Sequence, residues 1–373
     1  MKQLTCSALI HRMSYAPTTI GLCFLSVAWC YLISPAGVVT TASPDCLHVC
    51  NCSTAAERLT SPVFSVACDM PPACLPVVLD VSTPSVHLSG TVLPVVGGLT
   101  CKSTPLPLPP LIALDLSWNA ISNLRSWQPV AVSLRSLSVA GNSLRHITTA
   151  TFAGPARLRS LNVSMNNVGV LDVGCLRHLR RLRTLSLANN SIEHLPRGVF
   201  DGLSSLTELR LDNNHLMSLG DGVLAPLTRL TVLTASGNRQ KIVDARSFGG
   251  GPSTSLRQLD LSGNLLDDLF TSVAPALTVL RHLHSLTLDG NPTEQVRWAG
   301  AGRAGWSVSE LSISHMPTLI AVHRSALSRF TQLKTLTMTD NRRLRYIDDE
   351  ALPTRNTLRT IYLHDNNLTS GII

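Results

Sequence analysis

Eleven times between Leu111 and Leu368 the chain repeats one phrase, Leu-x-x-Leu-x-Leu-x-x-Asn-x-Leu. Clear copies are Leu182-Leu185-Leu187-Asn190-Ile192, Leu206-Leu209-Leu211-Asn214-Leu216 and Leu256-Leu259-Leu261-Asn264-Leu266. The asparagine slot is filled by Asn119, Asn142, Asn166, Asn190, Asn214, Asn238, Asn264, Asn291, Met316, Asn341 and Asn366, in steps of 23 to 27 residues. A unit that short cannot bury its apolar face alone and must stack on its neighbours, so the period predicts a solenoid. A solenoid offers a long exposed surface, and function is to be sought there rather than in a pocket.

Within one copy, Leu185 and Leu187 lie two residues apart, so they share one face of an extended segment while Thr184, Ser186 and Ala188 face away. Stacked copies then form a parallel sheet over a continuous leucine core, each buried leucine contributing about 1.5–3 kcal/mol. The asparagine follows the strand where the chain turns inward, and its amide can satisfy backbone groups that water cannot reach. Met316 lacks that capacity, which predicts local irregularity in the ninth coil.

The phrase resembles the extracellular leucine-rich repeat family over about the last 260 residues. Ile192-Glu-His-Leu195-Pro196-Arg-Gly-Val-Phe200-Asp-Gly-Leu203 continues as typical members do on the convex side. Phe152, Phe200 and Phe248 each stand ten residues after their asparagine, with Leu176 and Leu224 in the same slot between them, predicting an apolar spine. The ninth and tenth copies use a longer form through Leu319 and Val322, and through Leu344 and Ile347. The resemblance implies an α/β horseshoe solenoid over residues 111–373, with a parallel concave sheet and an irregular convex side. It also implies the ectodomain of a cell-surface receptor or adhesion protein, without cofactor, binding an extracellular protein ligand or a same-family receptor.

Upstream, Lys2 and Arg12 precede an uncharged apolar run from Ile20 to Ile33, and Ser34-Pro-Ala36 offers a cleavage site. Residues 1–36 therefore read as a signal peptide. The rival is an uncleaved anchor, since the uncharged stretch extends to Val39. Residues 37–73 hold Cys46, Cys50, Cys52 and Cys68, a density that reads as disulfides in a secreted chain, with three connectivities open. A zinc site is the weaker alternative, with only His48 nearby. The family resemblance implies a cap with Cys46–Cys52 and Cys50–Cys68. Cys74 and Cys101 bracket an irregular stretch within 74–110 and are expected to pair, leaving Cys175 as a buried inert thiol. The sequence stops five residues past Leu368, so a further cap or a membrane span is expected beyond residue 373.

Net charge is +8, the pI is near 9.2 and aromatic residues make up 4%. A basic extracellular surface suits anionic glycans, whereas nucleic acid is disfavoured by the lack of a basic block with interleaved aromatics. The residue after the first leucine of each copy runs Ile112, Arg135, Arg159, Arg183, Thr207, Thr231, Arg257, His284, Ser309, Lys334, Arg359. Such a column is an interrupted basic ladder, with a solvated edge as the plain alternative. The central column runs Asp115, Ser138, Asn162, Ser186, Arg210, Thr234, Asp260, Thr287, Ser312, Thr337, Tyr362. Only Arg210 and Tyr362 are of the types that dominate binding energy, too few to nominate one hot spot. These columns make a secreted matrix protein that binds glycans the second reading.

Asn51, Asn162, Asn189 and Asn367 stand in Asn-x-Ser/Thr sequons. Asn51 lies between cap cysteines, a doubtful place for a glycan, whereas a glycan on Asn162 would obstruct the third coil's concave face. Gly300, Gly302 and Gly305 match a dinucleotide fingerprint, but they precede a strand instead of following one. Gly249, Gly250 and Gly251 read as a loop, and His282 with His284 lacks a third metal ligand. With no catalytic constellation, an enzyme is only a minor alternative.

Overall fold

The computed structural model describes residues 112–125, 133–249, 255–297, 305–353 and 357–369, together with short backbone strands upstream. The repeats form eleven three-residue strands: β1 Ala113–Asp115, β2 Ser136–Ser138, β3 Ser160–Asn162, β4 Thr184–Ser186, β5 Glu208–Arg210, β6 Val232–Thr234, β7 Gln258–Asp260, β8 Ser285–Thr287, β9 Glu310–Ser312, β10 Thr335–Thr337 and β11 Thr360–Tyr362. Each pairs in parallel with the next in chain order, building one concave sheet.

The register aligns the middle leucines, Leu114 with Leu137, Leu161 and Leu185, and onward to Leu336. All of these are buried, while both neighbours on each strand remain at least partly exposed. The two-residue pleat thus sorts core from surface, as the leucine spacing requires.

Upstream of β1 the sheet continues through the backbone of Ser85–His87, Phe64–Cys68 and Cys50–Ser53, the last two antiparallel with Cys50 opposite Cys68. The expected signal peptide, the two cap disulfides and the Cys74–Cys101 pair lie outside the described residues. The same holds for Gly250, Gly251, Gly300 and Gly302.

Every concave strand leads into a left-handed residue just before the asparagine slot, from Trp118 (φ 58°) and Gly141 (φ 65°) to Asp365 (φ 59°). The turn aims the asparagine inward. Asn214 is representative: its Oδ1 accepts the Ile192 N–H of the preceding coil at 3.0 Å. Its Nδ2 donates to Leu187 O of that coil and to Leu211 O and Asp212 O of its own. Asn142, Asn166, Asn190, Asn238, Asn264 and Asn291 repeat the pattern.

The ninth coil differs from the expected irregularity. Strand β9 pairs in full register on both sides, and His315 keeps the left-handed turn (φ 56°). Met316 is buried, and its N–H donates to Asn341 Oδ1 at 2.9 Å. The carbonyls that an amide at 316 would reach, Leu288 O and Ile313 O, are served by Asn291 and Asn341 Nδ2 of the coils on either side. Apolar filling by methionine preserves the coil that its missing amide was expected to disturb.

On the convex side Phe152, Leu176, Phe200, Leu224 and Phe248 form the buried spine expected from their spacing. The longer later coils add the helix α1, Leu269–Val279, and an aromatic cluster. In that cluster the Phe270 and Phe330 ring centroids lie 5.2 Å apart, and those of Trp306 and Phe330 lie 4.9 Å apart. Val322 and Ile347 are buried on short parallel convex strands.

One core position is chemically mismatched. Gln240 stands where Ile192, Leu216 and Leu266 stand in other coils, is fully buried, and neither side-chain polar atom has a partner. Opposite stability shifts are therefore expected. Asn214→Ala is expected to cost about 1–3 kcal/mol, and Gln240→Leu to stabilise by a similar amount by removing an unsatisfied amide. Urea and thermal midpoints check both. A Gln240→Leu protein no more stable than its parent would show that the amide is not a liability.

Candidate binding surface

Side chains that face away from the leucine core line the concave sheet, and the coil register fixes their columns. Arg159 N–H donates to Arg135 O and Arg183 N–H to Arg159 O, each at 2.7 Å. The same ladder runs on through Thr207, Thr231, Arg257, His284, Ser309, Lys334 and Arg359. The three arginines therefore occupy adjacent rungs, about 4.8 Å apart, and all are exposed. Arg257, Lys334 and Arg359 are exposed in the same column, separated from the first three by Thr207 and Thr231.

In the central column Arg210 is tied to Glu208 of its own strand, Nε to Oε1 at 2.6 Å. Tyr362 is exposed at the opposite end of the sheet. The structure thus leaves these two anchors apart, four rungs of small polar side chains and Asp260 lying between them.

Asp212 organises the sixth coil's edge, accepting from the Thr234 hydroxyl at 2.5 Å and from Ser236 N–H and Oγ at 3.0 and 2.8 Å. The His284 ring meets Ser309 Oγ and lies 3.4 Å from Glu310 Oε1, while His282 is exposed. Among the described residues no three histidine, cysteine or carboxylate side chains cluster as metal ligands.

Asn162 is half-buried, and its Oδ1 accepts from the N–H and hydroxyl of Ser164 at 3.0 and 2.7 Å. Asn189 and Asn367 are exposed. Cys175 is buried on the convex side, and burial, reinforced by Asp172, pushes its thiol up to about 12.

Sequence reasoning missed the most exposed aromatic side chain among the described residues. Trp118 is 60% exposed in a left-handed conformation that bulky residues rarely adopt. Its indole lies over Gly141, where a Cβ would come within 2.6 Å of the ring. One coil further, Met165 repeats the left-handed exposed placement at 47%. The signal was available: Trp118 and Met165 occupy the slot before the ladder asparagine that other coils fill with Gly, Asn, Asp or His. Backbone strain of this kind costs about 1–3 kcal/mol per residue and concentrates at functional sites.

The family model described as Leucine rich repeat matches residues 132–192, 180–240 and 204–266. Over residues 132–266 the repeats are of the leucine-rich type. No curated protein matches the sequence. Among solved structures, the fold is similar to a chain in the octameric complex of Latrophilin 3, Unc5D and FLRT2, FLRT2 being its leucine-rich repeat component. That match has 24% identity, 71% of this chain and 79% of that chain covered, and a TM-score of 0.59. It is also similar to a chain of the Drosophila Toll–Spatzle complex, at 24% identity and a TM-score of 0.56, over 69% of this chain and 33% of that one. The glycosylated form of that complex matches at 18% identity and a TM-score of 0.59, over 94% and 55%. This chain thus spans a third to about half the length of the Toll-complex chains. At these identities the likeness is one of leucine-rich repeat fold.

Two outcomes follow for the buried titratable groups. Alkylation at Cys175, mapped by mass spectrometry, is expected only under denaturing conditions. Burial holds the Asp289 carboxyl above the usual carboxylate range, although Ser314 N–H donates to it at 2.7 Å. A raised folded pKa favours the protonated native state, so this contribution to stability is present at low pH and lost as pH rises through the folded value. Asp289→Asn, which keeps an acceptor for Ser314, is expected to gain stability over the parent at neutral pH and to lose that advantage near pH 3. Melting temperatures across that range check the sign.

Proposed function

We propose that this protein is an extracellular recognition module, the ectodomain of a cell-surface receptor or adhesion protein whose ligand is another protein. The observation that carries this reading is the exposed, strained pair Trp118 and Met165, in the turns that follow the first and third repeat strands of the concave sheet. A tryptophan held rigidly in the open loses little entropy on docking, and tryptophan is among the residues that dominate protein interfaces. The polar columns beside it supply a hydrated rim. The similar folds come from assemblies with protein partners, FLRT2 with Latrophilin 3 and Unc5D, and Toll with Spatzle. In this reading Asn162, Asn189 and Asn367 are glycan acceptors. A sugar on Asn162 then keeps ligand off the third coil's concave surface.

Expression of the full chain in cells with a secretory pathway tests the compartment. The expected product shifts in mobility on N-glycosidase treatment, and loses that shift when Asn162, Asn189 and Asn367 are all replaced by Gln. An unglycosylated protein retained in the cytosol sinks the extracellular reading. Screening the secreted protein against a panel of cell-surface ectodomains tests recognition, with Trp118→Ala expected to weaken any hit tenfold or more. Hits unaffected by Trp118→Ala would remove this anchor from the interface.

A further inference from the structure

The chain's positive charge is not spread over the solenoid. Residues 131–186 carry eight arginines against the single carboxylate of Asp172, which accounts for seven of the eight net positive charges of the whole chain. Asp172 is engaged with His146 at 2.7 Å on the convex side, and Arg145 stands beside that histidine. The other seven, Arg135, Arg157, Arg159, Arg177, Arg180, Arg181 and Arg183, lie where the second to fourth coils descend into the concave sheet. All seven are exposed.

Two features make this a built surface. Arg157 and Arg159 flank Leu158, and Arg181 and Arg183 flank Leu182, and both leucines are fully buried. Each leucine pins its backbone into the core while the two-residue alternation turns both arginines outward. The backbone bonds from Arg159 to Arg135 and from Arg183 to Arg159 then stack the coils in register. Second, none of the seven guanidiniums meets a carboxylate, whereas Arg210, Arg246 and Arg324 elsewhere pair with Glu208, Asp244 and Glu350. Other arginines, such as Arg239, Arg257 and Arg359, also lack a carboxylate partner, but they stand singly, whereas these seven crowd into 49 residues of sequence with Asp172 as the one carboxylate among them. Water and salt screen part of their mutual repulsion, and a bound polyanion lowers it further.

We propose that this flank of the second to fourth coils binds a linear sulfated polysaccharide. Arginine forks suit oxyanions held in two-point hydrogen bonds. Seven charges spread over three coils, with no enclosing cavity, fit a polymer rather than a single small anion. Nucleic acid fits poorly, because no exposed aromatic side chain lies in residues 131–186 to stack on a base. The site is separate from the Trp118 edge, at the other end of the strands, so glycan and protein ligand can be held together. The proposal rests on the extracellular reading for access to such a polymer, but its chemistry is measurable on purified protein in any compartment.

Heparin binding of the full-length protein is the probe, measured at several salt concentrations. Arg157→Ser, Arg159→Ser, Arg181→Ser and Arg183→Ser combined is expected to lose at least tenfold in affinity, with a shallower salt dependence. The charge-matched set Arg239→Ser, Arg257→Ser, Lys334→Ser and Arg359→Ser is expected to change affinity less than threefold. The Arg181→Ser, Arg183→Ser pair alone, which removes only exposed side chains, is expected to lose severalfold and covers the case of a misfolded quadruple variant. Equal losses in both sets, or none in either, overturn the site. Equal binding to desulfated heparin overturns the ligand class, as does stronger attachment to phosphatidylserine vesicles. Binding by a protein that proves cytosolic would leave this site standing and remove only the extracellular reading.

Discussion

The solenoid depends on one recurring bond set, the buried asparagine amide that joins each coil to the one before it. A strand three residues long cannot hold a parallel neighbour by its ladder alone, and the turn after it leaves backbone groups away from water. The amide answers both needs, accepting an N–H across the junction and donating to carbonyls on either side, as Asn214 does with Ile192, Leu187 and Leu211. The preceding left-handed residue is the geometric condition for that inward aim. At Gly237 a Cβ would press on the exposed Asn213 side chain, whose amide would have to turn aside.

A surface built this way is rigid by construction. Leucines at fixed spacing bind the backbone to the core, and the side chains between them have no choice of face. Arg157, Arg159, Arg181 and Arg183 are displayed because Leu158 and Leu182 are buried. The same logic separates two ends of each strand, a basic descending flank in the early coils and an edge bearing Trp118 and Met165. Carboxylates gather on the concave side of later coils, where Asp212, Asp260, Asp289, Glu310 and Asp340 stand. Charge is thus segregated along the solenoid axis without disturbing the repeat, because every one of these positions lies outside the leucine pattern.

The repeat made the strands, their order and the convex phenylalanine spine readable, since period and alternation are local properties of the chain. Met316 shows where that reasoning failed. A missing donor is not a defect here, because Met316 fills the slot by volume, β9 stays in register, and Asn291 and Asn341 serve the carbonyls on either side. Gln240 shows the converse, a polar residue accepted into a core slot with no partner. The binding surface was half legible. The Arg135, Arg159, Arg183 column follows from counting, whereas Trp118 lies in the turn after its strand, outside the columns that strand alternation defines.

The sequence by itself determined that the eleven repeats stack and which of their residues face out, because a leucine phrase recurring about every 24 residues permits no other burial, whereas the three strands upstream of the repeats came only with the structure. Only the tertiary structure decided what those outward residues meet. Asp212 accepts from Thr234 and Ser236, 22 and 24 residues along the chain yet one coil away, whereas Arg210 pairs with Glu208 on its own strand. Trp118 stands open to solvent because the left-handed turn lays its ring over Gly141 of the next coil. Contacts between coils, which no single repeat contains, turn a uniform scaffold into distinct surfaces.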